Sequence, residues 1–458
     1  MESTLLKNNR LAIILLTLLL TLGTSIQIGA QEDAAAPLDS ESLLPVVPQM
    51  PGQVVRFDHL TDEDGLISDE TNNIYQTSDG YMWIGSYEGF QRFDGYQFKD
   101  FYHDPDDSNS ISAYSYYLFF EDSSANFWIG TVDGLNLFDK ETETFTRFYP
   151  DADNPDRENF NIFSISESSL GGLWIGTITG LYHFDPQTGQ FLSYRHDPED
   201  PTSLSEDFVT GVLEDSRGDL WVTTFGGGLN RLSTSLPAIQ KSIETGENLS
   251  AQFDRISLGG DAGNDTLGTI MEDSLGNIWI ATRNGLARLV LGADPSEISF
   301  EFYRHDKEDP YSISGNIVGD IIEDSEGYLW IGTQQNGLNL FDRESGKFRS
   351  FRNDGRQDGL RSNNVGSIIE DAQGLIWIST LSNGIAVLDR RPLAFGYYRE
   401  DAEDPHSLSD SNVTAFWEGA DGELWIGTYG GLNQLVGGEG PQFVHYIHDE
   451  NDPRLYTQ

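Results

Sequence analysis

The chain contains no cysteine. That absence excludes disulfides, thiolate nucleophiles, zinc–thiolate sites and a lipid-modified N-terminal cysteine, so stability has to come from packing alone. Basic residues are scarce: 27 Lys and Arg stand against 74 Asp and Glu, a formal charge of −47. A surface this negative repels nucleic acid and anionic lipid, and it favours neutral or cationic ligands. After the N-terminal apolar run, residues 11–22, no stretch is long enough to cross a membrane. Lys7 and Arg10 precede that run, and Ile28-Gly29-Ala30 closes the more polar stretch behind it, which gives the three regions of a secretory signal. Cleavage after Ala30 is expected, with an uncleaved anchor as the alternative. Either way the bulk of the chain is exported, and a periplasmic or other extracytoplasmic location is expected, with the full-length protein anchored in the inner membrane. Residues 31–53, rich in Ala, Pro and Ser, read as a linker.

What the chain has in abundance is repetition. Eight of its nine tryptophans fall in one phrase, at Trp83, Trp128, Trp174, Trp221, Trp279, Trp330, Trp377 and Trp425, and only Trp417 stands outside it. A period of roughly 40–50 residues marks solenoids or propellers. Within one repeat, four short apolar segments are separated by turn chemistry, the strand count of a propeller blade. In the Trp221 copy a first segment leads to Glu214-Asp215-Ser216-Arg217-Gly218, where Asp, Ser and Gly suit a tight turn. The Trp-containing segment, Leu220 to Thr224, has the β-branched and aromatic content of a half-buried strand. The expected fold is therefore all-β, a propeller over residues 54–458. The repeated tryptophans are expected between blades rather than in a ligand platform, and Trp417 is expected in the core too. Val54 to Leu60 resembles a fourth segment without the first three, so it is expected to pair with the third strand of a ring's last blade. Such a latch removes open sheet edges. With eight motifs, the surplus strand favours a seven-bladed ring plus one extra blade over a single eight-bladed ring.

A second phrase recurs between repeats: His103-Asp-Pro-Asp-Asp107, His196 to Pro201, His305 to Pro310, Glu400 to Pro405 and His448 to Pro453. Its carboxylates are of the type that holds calcium. Asp, Asn and Pro are also the ordinary residues of a crossing loop, and that reading is preferred, with no metal or other cofactor expected.

If the first strand of each blade runs down the channel, the Glu-Asp-Ser-x-Gly turns lie at one end and the loops after Trp-Ile-Gly-Thr at the other. The turns repeat and read as scaffold. The loops vary, and variation on loops held by a rigid ring is where recognition belongs. The candidate ligand-binding residues are Tyr87, Glu88, Asp133, Arg283, Asn284, Gln334, Gln335, Asn336, Asn383 and Tyr429. Their aromatic, guanidinium and amide groups suit a small polar molecule or an oligosaccharide.

The consensus Glu-Asp-Ser-x-Gly-x-Leu-Trp-Ile-Gly-Thr, followed by Gly-Gly-Leu-Asn-x-Phe-Asp, resembles the two-component regulator propeller repeat, most plainly at Glu323 to Asp342 and Glu121 to Asp139. The resemblance covers the chain from about Val54 onward. It implies the extracytoplasmic sensor part of a bacterial hybrid histidine kinase or related receptor, with a homodimer as an option for the whole receptor. No kinase, cyclase or DNA-binding segment follows Asp452, so the output part is expected to be absent and the repeat array cut short. Membrane association is then expected only through an anchor or that missing part, and no enzymatic activity is expected of this chain. The competing readings are a secreted propeller enzyme acting on polysaccharide, by lyase or glycosidase chemistry, and a protein-docking propeller. Against the enzyme, no isolated acid or histidine is recognised that breaks the repeat as chemistry would require.

Overall fold

The computed structural model describes residues 56–447 except 152–159, 246–250, 262, 293–296, 357–358, 391–397, 399, 401–404, 420–422 and 437–441. The expected signal segment 1–30 and linker 31–53 lie outside the described residues, as does the last acidic loop, His448 to Pro453.

Among the described residues, thirty-two strands form eight antiparallel four-stranded sheets, one per tryptophan phrase. The Trp330 sheet is representative: Val318–Glu323, Leu329–Thr333, Gly337–Asp342 and Lys347–Phe351 pair in sequence order. The second strand is buried at all five positions in the Trp83, Trp128, Trp174, Trp221, Trp279, Trp330 and Trp377 sheets. A strand covered on both faces has to be apolar throughout, which accounts for the Leu-Trp-Ile core of the phrase. The glycine in that phrase makes room for the next sheet. A Cβ at Gly130, Gly176 or Gly332 would stand 2.6–2.7 Å from Ile162, Val209 or Val365, the residues that open the following first strand. Where the second strand carries Thr223, Ala281 or Ser379 instead, the small residue moves to the paired first strand as Gly211, Gly268 or Gly366.

The first strands of seven sheets contact one another in a closed cycle, from the Trp83 sheet through the Trp377 sheet and back. The turn motif builds this cycle. At each turn the Ser reaches the Glu that ends the next sheet's first strand: Ser78 donates to Glu121, Ser123 to Glu167, Ser169 to Glu214, Ser216 to Glu272, Ser274 to Glu323 and Ser325 to Glu370. The Ala372 N–H completes the circle by donating to Gln76 Oε1 at 2.7 Å. The ring is also closed by the latch. Strand Phe57–Leu60 is the fourth strand of the Trp377 sheet and pairs with Ile385–Leu388, from Phe57 opposite Leu388 to Leu60 opposite Ile385.

The Trp425 sheet has the same internal register, with Trp417 opposite Trp425, but it stands outside the cycle. This arrangement is compatible with seven blades plus one. Trp417 is not core: it is 62% exposed, and Phe416 is 69% exposed. The face that a neighbouring sheet covers in the ring is uncovered here among the described residues. An α-helix, Leu236–Thr245, is inserted between the third and fourth strands of the Trp221 sheet, and Leu236 and Ile239 seat it on that sheet's core.

Candidate functional site

At the turn end the acidic motif is consumed by structure. Asp215 Oδ1 accepts the N–H groups of Arg217 and Asp219, and its Oδ2 accepts the Trp221 indole at 2.9 Å. Asp122, Asp273, Asp324 and Asp371 hold Trp128, Trp279, Trp330 and Trp377 in the same way, at 2.6–2.8 Å. Burial opposes the charged form of Asp215, but the Trp221 indole and the Arg217 guanidinium outweigh it and hold the carboxyl below its usual range. The Trp174 sheet departs from the rule: Ser168 replaces the Asp, and the Trp174 indole N–H is buried without a partner. A pocket of about 340 Å³ opens at this end beside the inserted helix, walled by the Arg231–Asp219 ion pair and by Ser233 to Leu236.

The acidic crossing loops headed by His103, His196 and His305 are likewise closed on themselves. His103 Nδ1 meets the Ile111 carbonyl, His196 Nδ1 that of Leu204, and His305 Nδ1 that of Ile313, at 2.6–2.9 Å. Asp104 and Asp107 accept loop amides, from Asp106 and Asn109, as turn residues do. Among the described residues, no group of three or more His, Asp or Glu is arranged to hold a metal ion.

The opposite end is where the variable side chains collect. In five ring sheets the residue after the conserved Thr is fixed by its own backbone, donating to the residue that precedes the first strand: Ile178 to Asn161, Phe225 to Phe208, Arg283 to Thr266, Gln334 to Ile317 and Leu381 to Asn364, at 2.9–3.2 Å. Each hairpin tip is thereby tied to the lip of the channel. The following residue turns away, its N–H held by the hydroxyl of the phrase's last residue, as at Glu88, Asp133 and Asn284. Asn284 is further engaged by Asn264 at 2.9 Å. In the longer Gln334–Asn336 tip, Gln335 takes a left-handed backbone, φ 71°, and so does Asn383 in the Trp377 sheet, whose amide reaches the Arg361 carbonyl. Tyr429 belongs to the Trp425 sheet and does not join the ring.

Along one side of this end runs an arc of rings that the repeat pattern alone did not single out. Tyr116 lies 5.9 Å from Phe163, Phe163 4.7 Å from Phe208, and Phe208 stacks on Phe225 at 5.2 Å, with the Arg283 guanidinium 6.0 Å from the Phe225 ring. Of this arc the sequence singled out Arg283 but not Tyr116, Phe163 or Phe208; the candidate Tyr87 acts on Tyr116 electrostatically. Ser115 and Tyr116 both have left-handed backbones, φ 57° and 53°, which costs about 1–3 kcal/mol per non-glycine residue and concentrates at functional places. Burial pushes the Tyr116 phenol up to about 12, and charge at Tyr87 and at Asp320 adds to the shift. Asp320 lies on the first strand of the Trp330 sheet, several blades away around the ring, and shares that electrostatic environment. It retains some solvent contact but is surrounded by protein, and burial pushes its carboxyl up to about 6 against two backbone N–H bonds that pull the other way. An acid at this position was not among the candidates drawn from the sequence. The signal was present as a residue class: the third position of the first strand is Ser164 and Ser367 in other sheets.

A closed cycle of four-stranded antiparallel sheets, sealed by a strand from the other end of the array, defines a β-propeller. The model of the two component regulator propeller family matches residues 65–88, 203–226, 312–335 and 359–382, which hold the Trp83, Trp221, Trp330 and Trp377 phrases. A stretch of 73 residues is 37% identical to a histidine kinase P4 of Formosa agariphila, covering 15% of this chain and 5% of that protein. Among solved structures, the extracellular domain of a putative hybrid two component system from B. thetaiotaomicron is 22% identical with a TM-score of 0.60, over 84% of this chain and 53% of that one. A second such domain from B. thetaiotaomicron is 18% identical with a TM-score of 0.56, over 87% and 48%. The chain thus spans about half the length of these two solved chains. Virginiamycin B lyase from Staphylococcus aureus, 14% identical with a TM-score of 0.50 over 73% of this chain and 98% of that one, shares the fold. Among the described residues no helix is long and apolar enough to cross a membrane.

Proposed function

We propose that this chain is the ligand-sensing propeller of an extracytoplasmic two-component receptor, with the ligand at the end of the ring where Tyr87, Tyr116, Arg283 and Gln334 gather. The observation that carries this reading is the contrast between the two ends. At the turn end the repeated acids are spent on indoles and on the next sheet, whereas at the other end the tips differ from sheet to sheet and are tied rigidly to the channel lip. Rigid display of unlike side chains is what a recognition surface needs. The ligand is a small molecule or oligosaccharide, and signal output belongs to a histidine kinase part of the receptor. The likeness to hybrid two component extracellular domains supports the same class.

A thermal-shift screen of the purified protein against small polar molecules and oligosaccharides tests the reading, since a ligand that binds only the folded state raises its apparent stability by mass action. A saturable shift without turnover is expected. Turnover of the bound compound would instead make the chain an enzyme.

A further inference from the structure

Asp320 performs a structural duty that does not require a charge. Its Oδ2 accepts the Ile368 N–H, on the neighbouring sheet's first strand, at 2.8 Å. In the equivalent places Ser164 accepts the Val212 N–H at 3.1 Å and Ser367 accepts the Ile74 N–H at 3.0 Å. A serine hydroxyl therefore suffices for the brace. A carboxylate there adds the cost of desolvating a charge, which proteins normally offset with a counter-ion.

Elsewhere in this ring the offset is visible. Buried Asp215 is paired with Arg217, Asp273 with Arg343 and Asp324 with Arg390. Around Asp320, among the described residues, only the Ile321 and Ile368 backbone N–H groups answer it. The second departure from local rules lies at the same end of the ring, just before the first strand of the Trp128 sheet: Ser115 and Tyr116 hold consecutive left-handed backbones, and the Tyr116 ring lies beside Phe163. Unpaired negative charge and offered aromatic faces are the two elements that recognise an organic cation. The protein's −47 field draws such cations in.

We propose that the channel end binds an ammonium group, primary or quaternary, held between the Asp320 carboxylate and the rings of Tyr116, Tyr87 and Phe163. This rests on the reading of that end as the ligand site and narrows the class of ligand it takes. Arg283, beyond Phe225 at the other extremity of the arc, is then placed for a polar or anionic part of the same ligand.

The test is calorimetric titration of the purified protein at neutral pH with two matched pairs: choline against its uncharged carbon isostere, and glucosamine against N-acetylglucosamine. The charged member of each pair is expected to bind about tenfold tighter or more. Asp320→Ser, which keeps the brace to Ile368, and Tyr116→Gly, which relieves the left-handed backbone, are each expected to weaken the charged member about tenfold. Equal binding within the pairs, or no binding of choline and glucosamine, overturns the proposal. Binding of the charged probes that neither variant alters overturns the location. Should N-acetylglucosamine or a neutral oligosaccharide bind and be lost in Tyr116→Gly while the charged probes stay silent, the ammonium proposal falls and the ligand site stands.

Discussion

The Trp330 and Trp425 sheets share the second strand Leu-Trp-Ile-Gly-Thr and the same strand register, yet Trp330 is fully buried while Trp425 is only half-buried and its neighbours Trp417 and Phe416 are mostly exposed. The local pattern is enough to make the hairpins, because the turn residues and strand propensities lie within the repeat. It is not enough to make a core, because each sheet's apolar face is completed by the next sheet's first strand. In the ring that completion happens seven times, and the latch supplies the one strand that the array would otherwise lack.

Truncation breaks this comparison most sharply. Trp330→Ala should cost about 3–5 kcal/mol, the usual range for a buried aromatic, and Trp425→Ala roughly 1 kcal/mol or less. Urea midpoints of the two variants check this; equal losses would mean that the two sheets are covered alike. Removing the latch strand is the next largest effect. Phe57→Ala with Leu60→Ala weakens the Trp377 sheet's outer strand and bares the Ile385–Leu388 edge, so concentration-dependent association is expected by size-exclusion chromatography.

The turn end can be sharpened as well as broken. Ser168→Asp gives the Trp174 indole the acceptor that other sheets possess and should stabilise the fold by about 1 kcal/mol. Asp371→Ala, which strips the Trp377 indole of the same acceptor, should cost about 1–3 kcal/mol. Chemical denaturation of the two variants provides opposite signs if the acid is the indole's partner.

One further effect depends on pH. The folded Asp320 carboxyl titrates at about 6, above its ordinary value of 3.8, so the native state holds that proton more tightly than the unfolded chain. Its contribution is present at low pH and is lost as pH rises through about 6. Asp320→Ser should therefore stabilise the protein above that pH and lose its advantage as pH falls toward the ordinary carboxylate range. A difference in melting temperature that stays constant across this window would show that Asp320 is not desolvated.

Much of the fold was legible because it repeats. The tryptophan phrase predicted the sheets, the orphan segment ending at Leu60 predicted the latch, and the turn acids were read as scaffold, which their bonds to indoles and to the neighbouring Ser residues explain. The inserted helix Leu236–Thr245 interrupts the repeat and carried no strand or turn signal. Trp417 was misjudged since periodicity reports what a strand presents, not whether a neighbour covers it. At the end bearing the variable tips, Tyr87 and Arg283 follow the repeated phrase directly, so the sequence could single them out as candidates. Tyr116 and Phe208 stand just before first strands, and Phe163 and Asp320 near the start of theirs, where β-bulges shift the register and obscure the equivalence of Asp320 with Ser164 and Ser367. Only the three-dimensional neighbours reveal that an acid stands where serine suffices.

The most direct test of the central claim, that recognition occurs at the end bearing the variable tips, is a ligand screen run in parallel on the unaltered protein, Tyr116→Gly and Arg231→Ala, with thermal stability as the readout. The account predicts a saturable shift that Tyr116→Gly abolishes and Arg231→Ala, beside the turn-end pocket, leaves in place. A shift lost in Arg231→Ala and kept in Tyr116→Gly would contradict it and move the site to the opposite end of the ring.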